Sequence, residues 1–243
     1  MNLHNFVELC MCPAPLGNEH AAKHLIRSML PNGLEISEDV AGSAIVRKPG
    51  EKPGLTFFAS LSQPVVLVTG KKADGAWELQ PLGTGKTLEP MNGWKVMDSS
   101  GAQAKLEVKD GELRLTEDKG VQIGSLLTRQ PDWTQDALSV SCAGIEDRVG
   151  CWLLTELLRE MPDVKAEITC IFLAQEQHCT KVAELAMNET DAAVAIRLGS
   201  AKVNDINLTG APVNAGGGPV LKLRERYVST DGRLMDLERM ACR

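Results

Sequence analysis

The chain has 243 residues, of which 43% are hydrophobic and 24% are charged, as in ordinary globular proteins. Its formal net charge is −6 and it has no basic run, which argues against nucleic acid or an anionic membrane as a partner. No apolar segment approaches the roughly 20 residues that cross a bilayer, and the N-terminus lacks the pattern of a signal peptide, so we expect a cytoplasmic protein.

The first 64 residues are predicted to form two helices followed by strands. Apolar residues at helical spacing predict a helix over residues 3–10 and, after the turn "PAPLGN", a second from about Glu19 to Leu30. Short strands are predicted at residues 34–37, 43–48 and 55–60. Helices followed by continuously apolar strands are typical of an α/β domain with a covered sheet.

From about Val65 to Val140 the pattern changes to short alternating strands with glycine turns and no good helix. Strands are predicted at residues 77–82, 94–98, 104–108, 112–116 and 121–127. This composition predicts a small all-β module. We expect it to be inserted into the α/β domain, whose two parts would be residues 1–64 and 141–243.

Helical periodicity returns in the last third of the chain. A helix is predicted over residues 147–161, a buried strand over 168–174, a helix near 180–187 and a strand over 192–198. A final helix is predicted around Leu234, Leu237 and Met240. Alternating helices and strands support an α/β domain.

Three carboxylates fall where α/β folds keep functional groups. Glu146 and Asp147 stand in "GIEDRVG" at a strand-to-helix junction, and Glu176 follows the buried strand "ITCIF". Asp147 is placed to cap the following helix by accepting from its free N–H groups. Alternatively, Glu146 or Asp147 is a metal ligand at the mouth of the sheet. Together with Glu176, the two residues indicate a remnant acidic site.

Histidines add little to this picture. His20 and His24 stand four residues apart on a predicted helix and could meet one ion, but a solvated pair on a polar face is the more common outcome. His178 follows Glu176 by two residues, and two groups without a third ligand do not make a metal site.

Taken together, these segments resemble the tetrahedral, dinuclear-metal aminopeptidases of metallopeptidase family forty-two. The segment "GIEDRVGCWLLTELL" is similar to the family's Leu-Asp-Asp-Arg-Val-Gly-Cys and its helix, and "CIFLAQEQHC" resembles its strand ending in Gln-Glu-Glu-Val-Gly. The stretch ending "LTFFASLSQPVVLV" is similar to the part that holds Ala-His-Met-Asp-Glu-Ile-Gly. The resemblance implies a phosphorylase/hydrolase-like three-layer α/β sheet domain with an inserted small barrel or PDZ-like β domain.

The family holds two metal ions with two histidines, two aspartates and a glutamate, and uses a further glutamate as general base. The resemblance makes Glu176 the retained general base and Glu146 the counterpart of the bridging aspartate. The first histidine position is Ser60, the glutamate ligand is Gln177 and the second aspartate is Arg197, while the late histidine would lie beyond residue 243. Since Arg197 is always charged, it would place a cation where an ion should sit, and we expect it to pair with Glu146 or Glu176.

These substitutions imply a family member with a dismantled metal site, which would be non-catalytic and would act as an interaction, regulatory or ligand-binding protein. No cofactor is then expected. The partners implied are further copies of the chain or a related aminopeptidase subunit, with a peptide ligand as a further possibility. The alternative is an active metal-dependent aminopeptidase or hydrolase with a rebuilt or single-metal site, in which zinc or cobalt is held by Glu146, Asp147 and His178, with or without a group from a partner chain.

Overall fold

The computed structural model describes residues 3–83, 88–179, 181–201, 213–222 and 230–241. The chain divides into two compact units, Met1–Gly199 and Ser200–Arg243. Across the described ranges the longest helix has 16 residues, and no helix combines the length and apolarity needed to cross a lipid bilayer.

The elements follow one another in the chain as helices, a long run of strands, and alternating helices and strands. The helices are α1 (Leu3–Met11), α2 (His20–Met29), α3 (Ile145–Glu160), α4 (Lys181–Met187) and α5 (Gly232–Ala241), with a short 3₁₀ helix at Glu89–Met91. The strands are β1 (Glu35–Glu38), β2 (Ala44–Lys48), β3 (Glu51–Ser60), β4 (Val65–Lys71), β5 (Trp77–Leu82), β6 (Lys95–Met97), β7 (Gln103–Lys109), β8 (Glu112–Lys119), β9 (Leu126–Arg129), β10 (Thr134–Gln135), β11 (Val140–Ser141), β12 (Ala166–Leu173) and β13 (Ala192–Arg197).

A five-stranded mixed sheet with the order β1-β2-β12-β3-β13 forms the centre of the first unit. Strand β12 lies between β2, its antiparallel neighbour, and β3, its parallel neighbour, and β13 also runs parallel to β3. All residues of β12 except Ala166 are buried. A strand that is covered on both faces must be apolar on both, which explains the uninterrupted run "ITCIFL".

Helices cover both faces of this sheet and give three layers. On one face Ile168, Cys170 and Phe172 belong to a core shared with the first three helices. On the other face Ile171 and Leu173 pack with Ala183, Ala186 and Met187 of α4. The alternation of odd and even residues along β12 follows from the two-residue period of a strand, and the α/β architecture predicted from the sequence is confirmed.

The second sheet has six strands in the order β5-β4-β9-β6-β7-β8 and curls into a nearly closed barrel. Its two end strands approach each other: Trp77 of β5 donates its indole N–H to Asp118 of β8 at 2.6 Å. The inward residues form an apolar core of their own, which includes Val66, Leu106 and Leu127. These strands all fall between Val65 and Arg129, and the predicted domain boundaries at 64/65 and 140/141 stay a prediction.

One predicted strand of this module is wrong over most of its length. Residues 121–125 are not a strand, and pairing begins only at Leu126. Gly124 has a φ of +90°, a conformation that strands exclude and glycine adopts readily. Its N–H donates to Val68 O at 2.8 Å, and Ser125 N–H donates back to Gln122 O at 3.0 Å, so this segment is a turn.

The second unit is described separately. Helix α5 contains the predicted apolar positions Leu234, Leu237 and Met240. Leu237 and Met240 are 63% and 68% exposed. Asp231 stands just before the helix and accepts from Arg233 N–H at 2.9 Å, which satisfies one of the free donors of the first turn.

A buried carboxylate joins the turn after β6 to the turn before β9. Asp98, after β6, accepts through Oδ1 from Ser100 N–H at 2.8 Å, Ser100 O–H at 2.7 Å and Ala102 N–H at 3.0 Å. Its Oδ2 accepts from Ser125 O–H at 2.8 Å. Burial by itself raises the pKa of this carboxyl, but the hydrogen bonds to its charged form outweigh burial and leave the pKa below its ordinary value.

We predict that Asp98→Ala lowers the free energy of unfolding by about 2–3 kcal/mol, because it leaves buried donors without an acceptor. The pKa of Asp98 is lower in the folded state than in the unfolded state. Its contribution to the free energy of unfolding is therefore fully present above the unfolded-state pKa, near 4, and is lost as the pH falls through the folded-state pKa. Urea unfolding at pH 7 and at pH 3 measures both effects.

The matched control is Asp136→Ala. Asp136 also accepts from two backbone N–H groups, those of Leu138 and Ser139, but in an exposed turn, where water replaces the lost acceptor. An equal loss of stability in the two variants would contradict the role given to Asp98.

Candidate functional site

The candidate site lies where the carboxyl ends of β3 and β12 meet the first turn of α3. Ser60 at the end of β3 pairs with Leu173 at the end of β12, and the Cys151 thiol of α3 donates to Ser60 O at 3.2 Å. Gly150 makes this approach possible, because a Cβ there would lie 2.9 Å from the Cβ of Ala59. The fold therefore brings the segments around Ser60, Asp147 and Glu176 to one edge of the sheet.

A fully buried arginine fixes the start of α3. Arg148 is 0% exposed and donates from Nη1 to Leu61 O at 2.6 Å and from Nη2 to Cys12 O at 3.2 Å. Its Nε has no hydrogen-bond partner. In the described ranges no carboxylate forms an ion pair with it, so backbone carbonyl dipoles are its main direct compensation. Arg148 joins α3 to the ends of β3 and α1.

A second buried residue, Glu19, joins three loops. It is 5% exposed, and its Oε1 accepts from Ser62 O–H at 2.7 Å, from Gln175 N–H at 3.0 Å and from Gly17 N–H at 3.1 Å. Ser62 follows β3, Gln175 follows β12 and Gly17 precedes α2. A charged acceptor with several donors is a strong local restraint, and it sets the position of the loop that bears Glu176.

Asp147 is buried and bonded to Gln177. It is 8% exposed, and its Oδ1 accepts from Gln177 Nε2 at 2.9 Å, while its Oδ2 has no partner. Burial, followed by the charge of Glu146, raises the pKa of the Asp147 carboxyl to about 7, against the opposing effects of Arg148 and Gln177. Burial therefore favours the protonated form of Asp147 more than in an ordinary aspartate.

The prediction that Asp147 caps α3 is wrong. The residue that precedes the helix is Gly144, with a φ of +71°, and no side chain bonds the free N–H groups there. Asp147 is the third residue of the helix, and its carboxylate is turned to Gln177 instead. A side chain at Gly144 would also clash with Gln63, which explains the glycine at this position.

Glu176 and Arg197 form an ion pair. Arg197 Nη2 lies 2.8 Å from Glu176 Oε1, with the two side chains 40% and 11% exposed. Arg197 is the last residue of β13, where it pairs in register with Phe58 of β3, so its side chain leaves the sheet at the same edge as Glu176. Glu176 is one of the two carboxylates predicted as partners of Arg197.

The remaining predicted residues are spread between the interior and the surface. Ser60 is 6% exposed and its hydroxyl has no partner. Glu146 is exposed in the first turn of α3, and His178 is exposed in the loop after β12. His20 and His24 are exposed on α2. In the part of the chain that the structure describes, no three His, Cys, Asp or Glu side chains are grouped as metal ligands would be.

The importance of Glu19 and Arg148 is not evident from the sequence. The sequence feature that could have indicated a structural role for Glu19 is its position directly after the turn "PAPLGN", next to the first residue of α2. The signal for Arg148 was a charged residue inside the helix pattern "DRVGCWLL", on the side that the apolar residues occupy. Neither signal specifies the distant acceptors and donors that each side chain reaches.

Known structures share this fold. The chain matches a TET aminopeptidase from a marine sediment Thaumarchaeota archaeon with a TM-score of 0.87 and 16% identity, over 99% of this chain and 78% of that one. It matches the Pyrococcus horikoshii TET1 peptidase with a TM-score of 0.79 and 18% identity, over 97% and 79%. The PhTET1-12s dodecamer gives a TM-score of 0.82 and 19% identity, over 98% and 79%. At these identities the likeness establishes the fold.

A search of curated proteins finds no significant match. The sequence model of the M42 glutamyl aminopeptidases, however, matches residues 105–242. The matched region takes in the last strands of the barrel, helix α3 with Asp147, the loop with Glu176 and strand β13 with Arg197. Because it covers more than half of the chain, the protein belongs to the M42 glutamyl aminopeptidase family.

Proposed function

We propose that this chain is an M42-family protein whose dinuclear metal site has been dismantled, and that it works without peptide hydrolysis as an interaction, regulatory or ligand-binding protein. The observation that carries the proposal is the ion pair between Arg197 and Glu176, at 2.8 Å. By the resemblance, Glu176 is the general base of the family and Arg197 stands at a ligand position.

The ion pair opposes metal binding through charge. A unit charge repels another at 4 Å by about 4 kcal/mol when the effective dielectric constant is about 20, and a divalent ion doubles that figure. Arg197 cannot escape the repulsion by losing a proton, because its guanidinium stays charged at any physiological pH. The Nη2 group of Arg197 also donates to Oε1 of Glu176, and this carboxylate is the one that would take a proton from water in an active site.

The other two substituted positions supply neutral groups. Zinc and cobalt are held in proteins by thiolates, imidazoles and carboxylates, and two ions require a shared carboxylate. Ser60 offers a hydroxyl, and Gln177 offers an amide that already donates to Asp147. Glu146, at the bridging position, is exposed. These side chains do not fit a dinuclear zinc or cobalt centre, and we assign no metal-dependent step to them.

A single-metal site made of Glu146, Asp147 and His178 remains the second candidate. The free Oδ2 of Asp147 favours it. Against it, no three potential ligands are grouped as a metal site requires in the described part of the chain, and the raised pKa of the Asp147 carboxyl disfavours the charged form that a metal ion needs. If this candidate were right, Glu146→Ala and His178→Ala would each abolish a measurable zinc affinity.

Self-association is part of the proposal. The TET1 peptidase of Pyrococcus horikoshii assembles into a tetrahedron or a large octahedral shell, and PhTET1-12s is a dodecamer. We infer that this chain associates with its own copies or with a related aminopeptidase subunit in the cytoplasm, and that a peptide can occupy the former cleft. Light scattering at micromolar concentration should give the mass of an oligomer, and a monomer mass would contradict association of the chain with its own copies.

We predict that the purified protein does not accelerate the hydrolysis of aminoacyl-nitroanilides above the background rate, even when zinc, cobalt or manganese is present. The physical reason is that Glu176 has no metal-activated water to deprotonate. An active family member, assayed in the same buffer, shows that the conditions support catalysis. Metal-dependent turnover by the wild-type chain that is lost in Glu176→Gln would overturn the proposal.

A further inference from the structure

A cleft of about 470 Å³ opens on the barrel, away from the residues of the candidate site. One wall is the start of β6, with Trp94 just before the strand and Lys95 as its first residue. The other wall is the end of β9, with Arg129 as its last residue and Pro131 and Asp132 after it. Gln130 N–H donates to Lys95 O at 2.8 Å and joins the two walls. The volume falls in the range of about 300–1,000 Å³ that small-molecule sites occupy.

The guanidinium of Arg129 is held in a fixed position on this cleft. Its central carbon lies 5.3 Å from the ring centroid of Trp94, a cation–π geometry, and its Nη2 lies 2.7 Å from Asp132 Oδ2. Asp132 is anchored in turn, because its Oδ1 accepts from Ala143 N–H at 2.8 Å. Both oxygens of this carboxylate are therefore engaged, while Arg129 keeps further N–H donors for another acceptor.

The cleft carries a net positive charge, although the chain as a whole is negatively charged. Two cations, Lys95 and Arg129, stand against one carboxylate, Asp132, in a protein with a net charge of −6. Within the described residues no carboxylate lies at ion-pair distance from Lys95. The indole N–H of Trp94 is a further donor. An excess of donors and positive charge selects an anion.

The cleft also has apolar surface. Trp94 packs against the apolar core of the barrel and is half-buried, so part of its indole joins Pro131 in lining the cleft beside the charged groups. Flat rings pack well on an indole, so the apolar part of a matching ligand should be planar.

We propose that this cleft binds a small aromatic carboxylate. The carboxylate accepts from Arg129 and Lys95, and the aromatic ring packs against Trp94 and Pro131. The site is separate from the pairs Asp147–Gln177 and Glu176–Arg197, so the proposal does not depend on the state of the former metal site.

The test uses the indole N–H signals of the full-length chain, labelled with ¹⁵N. The chain has four tryptophans, and Trp94→Phe identifies the signal of Trp94. Phenylacetate is titrated, with phenethylamine as the matched ligand in which an ammonium replaces the carboxylate and with acetate as the ligand without a ring. We expect phenylacetate to shift the Trp94 signal with a Kd of about 1–10 mM, in keeping with its few atoms, and the two controls to bind at least tenfold more weakly.

Arg129→Gln should weaken phenylacetate binding at least tenfold. Arg114→Gln on β8 is the control, since its side chain is 45% exposed against 42% for Arg129, and it should leave the affinity unchanged. If Arg129→Gln does not fold, Lys95→Gln, which removes an exposed charge, replaces it with the same expected direction. The proposal is overturned if phenylacetate gives no saturable shift of Trp94, if phenethylamine or acetate binds as tightly, or if the folded variant binds like the wild type.

Discussion

The buried guanidinium of Arg148 is the constraint on which the site region depends. A charge that is 0% exposed must be compensated by polar groups at fixed positions, and the carbonyls of Leu61 and Cys12 supply this compensation. These carbonyls lie at the ends of β3 and α1, so the first turn of α3 cannot move independently of either. Removal of the carbonyl contacts would leave an uncompensated buried charge, which is far more costly than the loss of an exposed pair.

The proposed function separates the residues that hold the site region in place from the residues at the family's metal-ligand positions. The frame consists of Arg148, Glu19 and the close contact at Gly150, and all three hold the loops in a family fold. The chemistry would need anionic and imidazole ligands at the positions of Ser60, Gln177 and Arg197. In their place the chain has a hydroxyl, an amide and a guanidinium, and its own cation satisfies Glu176. Under the proposed function, the chain retains the frame of the site without a metal centre, which suits a protein that binds or assembles.

Periodicity was enough to predict most of the fold. The two-residue alternation of the barrel strands and the uninterrupted apolar run of β12 depend on local burial, which the sequence records directly. The turn at 121–125 was missed because the requirement for a positive φ at Gly124 comes from its bond to Val68, a residue of another strand. The cap at Asp147 was wrong for a similar reason: its partner Gln177 is 30 residues away in the chain. The resemblance located Glu176 and Arg197, but the 2.8 Å contact between them is a property of the folded sheet edge.

The central claim is that the charge of Arg197 replaces that of a metal ion at Glu176. The most direct measurement is the metal content of the purified protein, by plasma mass spectrometry after incubation with zinc or cobalt and dialysis. The account predicts far less than one ion per chain in the wild type, and a higher content in the double variant Arg197→Asp, Gln177→Glu, which restores two carboxylates. A stoichiometric ion that survives dialysis in the wild type would contradict the account.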